Sequence, residues 1–581
     1  MWVFSIFTVL LLLYVSQIAR TEKVSFSPCP LLGPRFSIPS IVSASPIIQD
    51  GLQNLTKSFD EYALTLNGTF GPTSPNTTSF SVALFSTEET NSTKPYFYEY
   101  HHIAPSLRNA TARAHRLDAH SVYRVGDLTT LFTVWLFLVE AGEEHLDDPV
   151  SMWVPELEAA VRNSSFISRV QWKEVTLGDL AAHLGGIGSY APSLQILEMG
   201  SVLAGIDTFT DNSPCRRASV QCKINDFLSY FGTRPPVFAA TSTPIFSNAG
   251  FIILGSALER ITGRSYEDLL LTSILRPLNM SSTTLLQPST NKNAVIPSNA
   301  TIAGWSSSTP IEAPFNGLYS TIHDMSEALR AILSSALLPG STTRRWLKPV
   351  SQTSNLVNSV GRPFEIYSLT ASPTSPVIPI YQVRGNVDLY SSHIGLAPDY
   401  GVGFVIMAAD SAANPDLNAY ADLIATEMIP ALEQNAIVQA SQMFSGTYVD
   451  VNKNMTLVIA QAEDTSPGLS LTNFTAADKD LRAVYAKLNS IDPENLSFRL
   501  YPTDLIEDAA KGKRMTFRAS FQDVTTLADA GTPTCDTWRY IDRLQINGVG
   551  IDEFIFEVES GNAVKVEIPA FDAKLEKQLG E

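Results

Sequence analysis

The chain has 581 residues, 44% of them hydrophobic and 17% charged, with a formal charge of −18. This composition excludes disorder as the main state and is enough for two domains or more. The acidic balance excludes nucleic acid, which takes clustered Lys and Arg, and four cysteines in so long a chain exclude a disulfide-dense mini-scaffold.

Trp2 to Val15 is an uncharged apolar run, followed by Ser16-Gln17-Ile18-Ala19 and Arg20. It suits a signal peptide over 1–19 better than a membrane span, which takes about twenty residues. A short signal anchor is the alternative; once a signal is removed, no stable membrane insertion is expected. Eleven Asn-x-Ser/Thr sequons (Asn54, Asn67, Asn76, Asn91, Asn109, Asn163, Asn279, Asn299, Asn454, Asn473 and Asn495) exceed the chance number and also point to the secretory pathway. Four cysteines allow three pairings. The short spacing from Cys215 to Cys222 favours a local loop, leaving Cys29 to join Cys535. None has zinc spacing, and no metal or cofactor is expected.

Pro28 to Pro46 is Pro/Ser-rich and reads as extended. Ile48, Leu52, Leu55, Phe59 and Tyr62 recur at steps of four and three, which predicts an amphipathic helix. Ser79–Phe85 and Pro95–Tyr100 read as two strands. Leu128–Glu140 is apolar almost all round and belongs inside a large domain. Helices are predicted from Thr176, over Phe251–Thr262 up to Gly263, and after Ser265, which forms a capping box with Asp268. Ser281–Pro314 is a Ser/Thr/Pro/Asn-rich loop. Ile378–Val383, His393–Ala397 and Val402–Ala408 read as neighbouring antiparallel strands, and a helix follows from about Leu417 to Glu433. From Phe444 onward short strand-like runs dominate, at 455–460, 495–501, 514–521, 553–558 and 563–568, which predicts a separate β-rich domain.

Three segments carry a family likeness. Tyr123-Arg124-Val125-Gly126-Asp127-Leu128-Thr129-Thr130 resembles the Ser-x-x-Lys segment of the class C β-lactamase and penicillin-binding protein family. Phe246-Ser247-Asn248 resembles its Tyr-x-Asn segment, and Val383-Arg384-Gly385 its Lys-Thr-Gly strand. Pro398 and Gly403 fall at the family's offsets after the third motif, and Thr176–Ile187 and Asn316–Asp324 add minor marks. The resemblance implies an α+β fold over 75–435: an antiparallel sheet with helices on both faces and an all-α insertion. Residues 20–74 form an N-terminal extension and helix, and 440–581 a C-terminal β-rich domain similar to that of secreted fungal members.

The same positions depart from the family's chemistry. In the Ser-x-x-Lys helix an amine one turn along helps deprotonate the hydroxyl. Here Asp127 replaces the Ser, Thr130 the Lys, Phe246 the proton-shuttling Tyr and Val383 the strand Lys; Asn248 and Gly385 remain. A carboxylate attacking an amide would form a mixed anhydride, uphill of the amide. Asp127 therefore reads as the N-cap of the helix it precedes. The alternatives are a general base in an altered enzyme and an active hydrolase with another Ser recruited.

Asp127, Asn248, Arg384 and Gly385 are the candidate ligand-binding residues, with a small molecule as partner and the oligomeric state left open. The literal Ser289-Thr290-Asn291-Lys292 lies in a loop and reads as accidental. Gly185-Gly186-Ile187-Gly188 is too short for a phosphate loop. His393 reads as a strand residue, and His101, His102 and His145 as solvated. A place beside fungal secondary metabolism is implied by the resemblance alone.

Overall fold

A computed structural model describes residues 28–40, 42–89, 93–109, 116–159, 165, 167–190, 222–289, 293–306, 310–370, 377–460, 466–527 and 531–578. The expected signal peptide, Cys215, Asn91, Asn163 and residues 290–292 lie outside them, as does the side chain of Asn109. Contacts divide the chain into two units. One comprises Ser40–Leu369 and Pro379–Ala431; the other comprises the segment up to Pro39, Thr370–Ile378 and Leu432–Glu581. The stretch 20–74, expected as one piece, is therefore divided at Pro39.

The first unit opens with α1 (Pro46–Tyr62), which buries the stripe that its spacing predicts, Ile48, Leu52, Leu55, Phe59 and Tyr62. β1 (Thr78–Ser86) and β2 (Tyr98–His102) pair antiparallel, Ser81 opposite His101. β3 (Tyr123–Arg124) leads to α2 (Thr129–Glu140), buried from Thr129 through Leu138. Thr176 and Asp179 form a reciprocal capping box at the start of α3 (Leu177–Ala181). α4 (Asn248–Thr262) stops at Gly263, whose φ of 72° suits a residue without Cβ. Ser265 then caps α5 (Tyr266–Leu270) by accepting from the Asp268 N–H.

β4 (Tyr319–Ser320) pairs with β3, and α6 (Ile322–Leu333) follows. The main sheet is completed by β5 (Ser351–Gln352), β6 (Asn358–Val360), β7 (Glu365–Leu369), β8 (Ile378–Val387), β9 (Tyr390–Ala397) and β10 (Val402–Asp410). Among the described residues its order is β2-β1-β10-β9-β8-β7-β6-β5. β1, β9 and β10 are buried along their whole length, so both faces of the sheet centre are covered. α7 (Asn418–Phe444) runs past its expected end at Glu433, because Ala436, Ile437, Ala440 and Phe444 continue the buried stripe.

The second unit contains β11 (Gly446–Asp450), β12 (Met455–Ile459), β13 (Leu469–Ala476), α8 (Leu481–Leu488), β14 (Leu496–Ala509), β15 (Gly512–Asp523), β16 (Glu553–Glu559), β17 (Asn562–Ile568) and β18 (Ala573–Lys577). The strands run β12-β11-β18-β17-β16-β15-β14-β13, and β12 pairs with β13 to close a barrel. A barrel of this size is just wide enough for side chains to fill. Phe474, Phe498, Phe517, Phe554 and Phe556 fill it, and Tyr485 of α8 packs its ring on Phe474, Phe498 and Phe521.

Cys29 is bonded to Cys535, as the sequence favours. The adjacent Thr537 hydroxyl donates to the Cys29 carbonyl at 3.0 Å. Cys222 is disulfide-bonded as well. Asn54, Asn67, Asn76, Asn279, Asn299, Asn454 and Asn473 are exposed and Asn495 is half-buried. Among the described residues, no helix is long and apolar enough to cross a membrane.

Candidate functional site

β3 delivers the chain to a turn wedged against β8. Gly126 has a φ of 65°, and a Cβ on it would lie 2.7 Å from the Asn386 amide nitrogen. Gly385 faces the same turn: a Cβ there would lie 2.3 Å from the Val125 carbonyl oxygen and 2.6 Å from the Leu128 nitrogen. Two glycines thus let backbone meet backbone, and they place Asp127 beside Gly385 and Asn386. Ser392 fixes the contact by donating to the Val125 carbonyl at 2.6 Å.

Beneath the turn lies Arg124, with no exposed surface. Its guanidinium donates to the Gly304 carbonyl at 2.6 Å and the Asn316 carbonyl at 3.3 Å, and pairs with Asp388 at 3.4 Å. A charge so deep is tolerated because two carbonyls and the Asp388 carboxylate meet the guanidinium's terminal nitrogens.

Asp127 is not the helix N-cap that the sequence suggests. Gly126–Leu128 is a 3₁₀ turn with Asp127 inside it; Val125 precedes that turn and Leu128 holds the N-cap position of α2. Thr129 and Thr130 instead turn back, donating to the Gly126 carbonyl at 2.8 Å and the Asp127 carbonyl at 2.7 Å. The close approach of Gly126 to β8 goes with the 3₁₀ geometry, which places Asp127 one position inside the turn instead of ahead of it. Its half-buried carboxylate sits in the first turn, where the helix dipole favours negative charge.

Thr130 is buried, and its hydroxyl is already committed to the Asp127 carbonyl. Phe246 is half-exposed and stacks on His183 with ring centres 5.1 Å apart. Asn248 spends its amide on Tyr190: Oδ1 accepts from the Tyr190 N–H at 2.7 Å and Nδ2 donates to its carbonyl at 2.8 Å. Val383 is buried in the core.

Arg384 does not join the ligand-binding group expected of it. Neighbouring strand residues point to opposite faces, so Arg384 faces away from the turn that Gly385 meets. There it pairs with Glu365 at 2.5 Å.

His183, not singled out in the sequence, packs on Phe246 and Phe251 at the start of α4. It has a φ of 58°, and its Nδ1 accepts the Ser247 N–H at 3.2 Å. Burial pushes its pKa down to about 4, so the ring is neutral with its proton on Nε2. A His before two glycines, where a left-handed residue ends a short helix, was the available signal.

His393 is a strand residue, as expected. It is buried, donates from Nε2 to Gln382 at 2.7 Å and has its pKa pushed down to about 3 by burial. The other histidines are not solvated as expected. His101 joins a chain in which Nε2 lies 3.4 Å from Glu99, Nδ1 lies 2.8 Å from the Ser81 hydroxyl, and that oxygen lies 2.9 Å from the Tyr123 hydroxyl. Ser81 is fully buried, so this acid–imidazole–hydroxyl series offers no reachable nucleophile. His102 bonds the Pro75 carbonyl, and His145 bonds Asp148. Cross-strand register supplies Ser81 as the partner of His101, while Glu99 lies two residues earlier on the same strand.

The motif positions thus present a half-buried carboxylate at Asp127, next to the backbone of β8, and a half-exposed ring at Phe246, stacked on His183. The hydroxyl–amine couple of acyl transfer is not present at the motif positions.

A family model described as "Beta-lactamase" matches residues 91–427. The chain belongs to the β-lactamase family. A second model, "Beta-lactamase-like-like, C-terminal domain", matches residues 436–579 of this β-lactamase-family chain. It is 30% identical to "Beta-lactamase-like protein" of Arthroderma benhamiae, covering 95% of this chain and 96% of that one. It is 24% identical to "Probable hydrolase M10" of Phoma sp., covering 79% and 77% respectively. Among solved structures, a class C β-lactamase is 16% identical with a TM-score of 0.46, covering 65% of this chain and 95% of that one.

Proposed function

We propose that this β-lactamase-family protein binds or reshapes a small molecule in the cleft beside Asp127, Phe246 and Gly385 without forming a serine acyl-enzyme. One observation carries the reading. Asp127, Thr130, Phe246 and Val383 occupy the nucleophile, amine and phenol positions, and the one hydroxyl among them is bonded to the Asp127 carbonyl. Residues that act as a unit lose nearly all their effect when the nucleophile goes. The protein acts outside the cell: the apolar leader, the exposed sequons and the Cys29–Cys535 bond support export.

Intact mass after incubation with benzylpenicillin, and separately with a fluorophosphonate, tests this. The mass is expected to stay unchanged. A stoichiometric adduct from either reagent overturns the reading.

A further inference from the structure

Away from the cleft, two cavities of about 740 and 410 Å³ lie along α4 and share Glu259, Tyr266, Pro310 and Ala313. Ile252, Gly255, Ser256 and Glu259 line the larger one from a single stripe of α4. Its opposite wall is Pro310–Pro314. Gly255 keeps the two walls close, since a Cβ there would lie 2.6 Å from Pro314 Cγ. The α4 residues among these lie four to eleven positions beyond Asn248 on the same helix, about 6–16 Å of rise from it.

Its polar groups are few and set. Tyr266 contributes its ring, because its hydroxyl is bonded to Thr133 at 2.7 Å. Glu259 is oriented by the Tyr266 N–H, which donates to Oε1 at 2.7 Å. Ser256 is 7% exposed and makes no hydrogen bond among the described residues. Other helical hydroxyls behave differently: Thr56, Thr262 and Ser326 turn back onto the carbonyl four residues earlier, at 2.8, 2.8 and 2.7 Å. Its hydroxyl therefore opens onto the cavity with its hydrogen-bonding capacity unspent, available to a molecule that enters. Of the charged lining residues, Glu259 faces both cavities and Glu267 the smaller, against Lys223 in the larger. The volume and the apolar walls suit a small organic molecule.

We propose that this cavity is a second binding site, for an organic ammonium. The protonated amine sits between the Ser256 hydroxyl and the Glu259 carboxylate, and the apolar body lies along Ile252, Ile311 and Pro314. An ammonium has three donors and no acceptor, and both protein groups accept.

Titration calorimetry of the full chain with phenethylammonium, 2-phenylethanol and 3-phenylpropionate tests the site. The ammonium is expected to bind at least ~10-fold more tightly than the other two. Glu259→Gln, which keeps an acceptor for the Tyr266 N–H, is expected to weaken it ~10-fold or more, and Ser256→Ala ~3-fold or more. Asp127→Asn is expected to leave it unchanged, which separates this site from the cleft. Absence of ammonium binding at millimolar concentration, equal binding of the alcohol or carboxylate, or unaltered affinity in Glu259→Gln overturns the proposal.

Discussion

The two ends of the polar inventory on α4 contrast sharply. At its N-terminus, the Ser247 hydroxyl accepts from the Gly250 N–H and donates to the Gly188 carbonyl, and both amide atoms of Asn248 are taken by Tyr190. Two turns on, the Ser256 hydroxyl faces the cavity and bonds nothing among the described residues. The family's motif position has thus become framework, while a position outside the family's motifs keeps unspent hydrogen-bonding capacity. Substitutions at the first should register in folding, and at the second in binding.

The largest effect is expected below the Asp127 turn. Arg124→Leu removes a buried guanidinium and strands Asp388 and two carbonyls, for a loss of about 3–5 kcal/mol in urea unfolding of the full chain. A loss below about 1 kcal/mol would mean that the turn does not depend on this anchor. Asn248→Ala leaves the Tyr190 backbone without its two partners, and about 1–3 kcal/mol should go. Wild-type stability in that variant would break the contrast, because the amide would then have been available to a ligand.

The buried imidazoles give a pH signature of the same framework. His183 and His393 have folded pKa values of about 4 and about 3, against 6.5 when exposed. Their neutral forms cost the folded state nothing above pH 6.5. As the pH falls from 6.5 toward 4, the unfolded chain takes up protons that the folded chain refuses, and stability declines. Each histidine adds a slope of about 1.4 kcal/mol per pH unit in that window. In His183→Gln/His393→Gln the slope of unfolding free energy against pH should be visibly shallower; an identical slope would assign acid sensitivity elsewhere. Ser256→Ala should have the smallest effect, within about 0.5 kcal/mol of wild type by thermal unfolding, since no bond is lost and Ala favours the helix. A large loss there would show that the hydroxyl is already engaged.

What the sequence disclosed follows the range of its signals. The stripe Ile48–Tyr62, the buried α2 and the β8–β10 run were legible because one periodicity governs each. The motif positions were legible because backbone constraints fix them: Gly385 had to stay small to meet Val125 and Leu128. Asp127 was misread as a cap because a Cβ-free Gly126 pressed on β8 tightens the turn, a contact between segments far apart in the chain. Arg384 was misplaced although strand parity alone puts it opposite Gly385. The ties of Asn248 to Tyr190, and of His101 to Ser81, depend on register and loop path, which no local pattern encodes.

The Cys29–Cys535 link has a practical consequence for anyone handling this protein. A protease that nicks the backbone once anywhere between those two residues leaves both fragments covalently joined. On a gel the nicked molecule should migrate as one band until dithiothreitol is added, so intactness judged without reductant would be overstated.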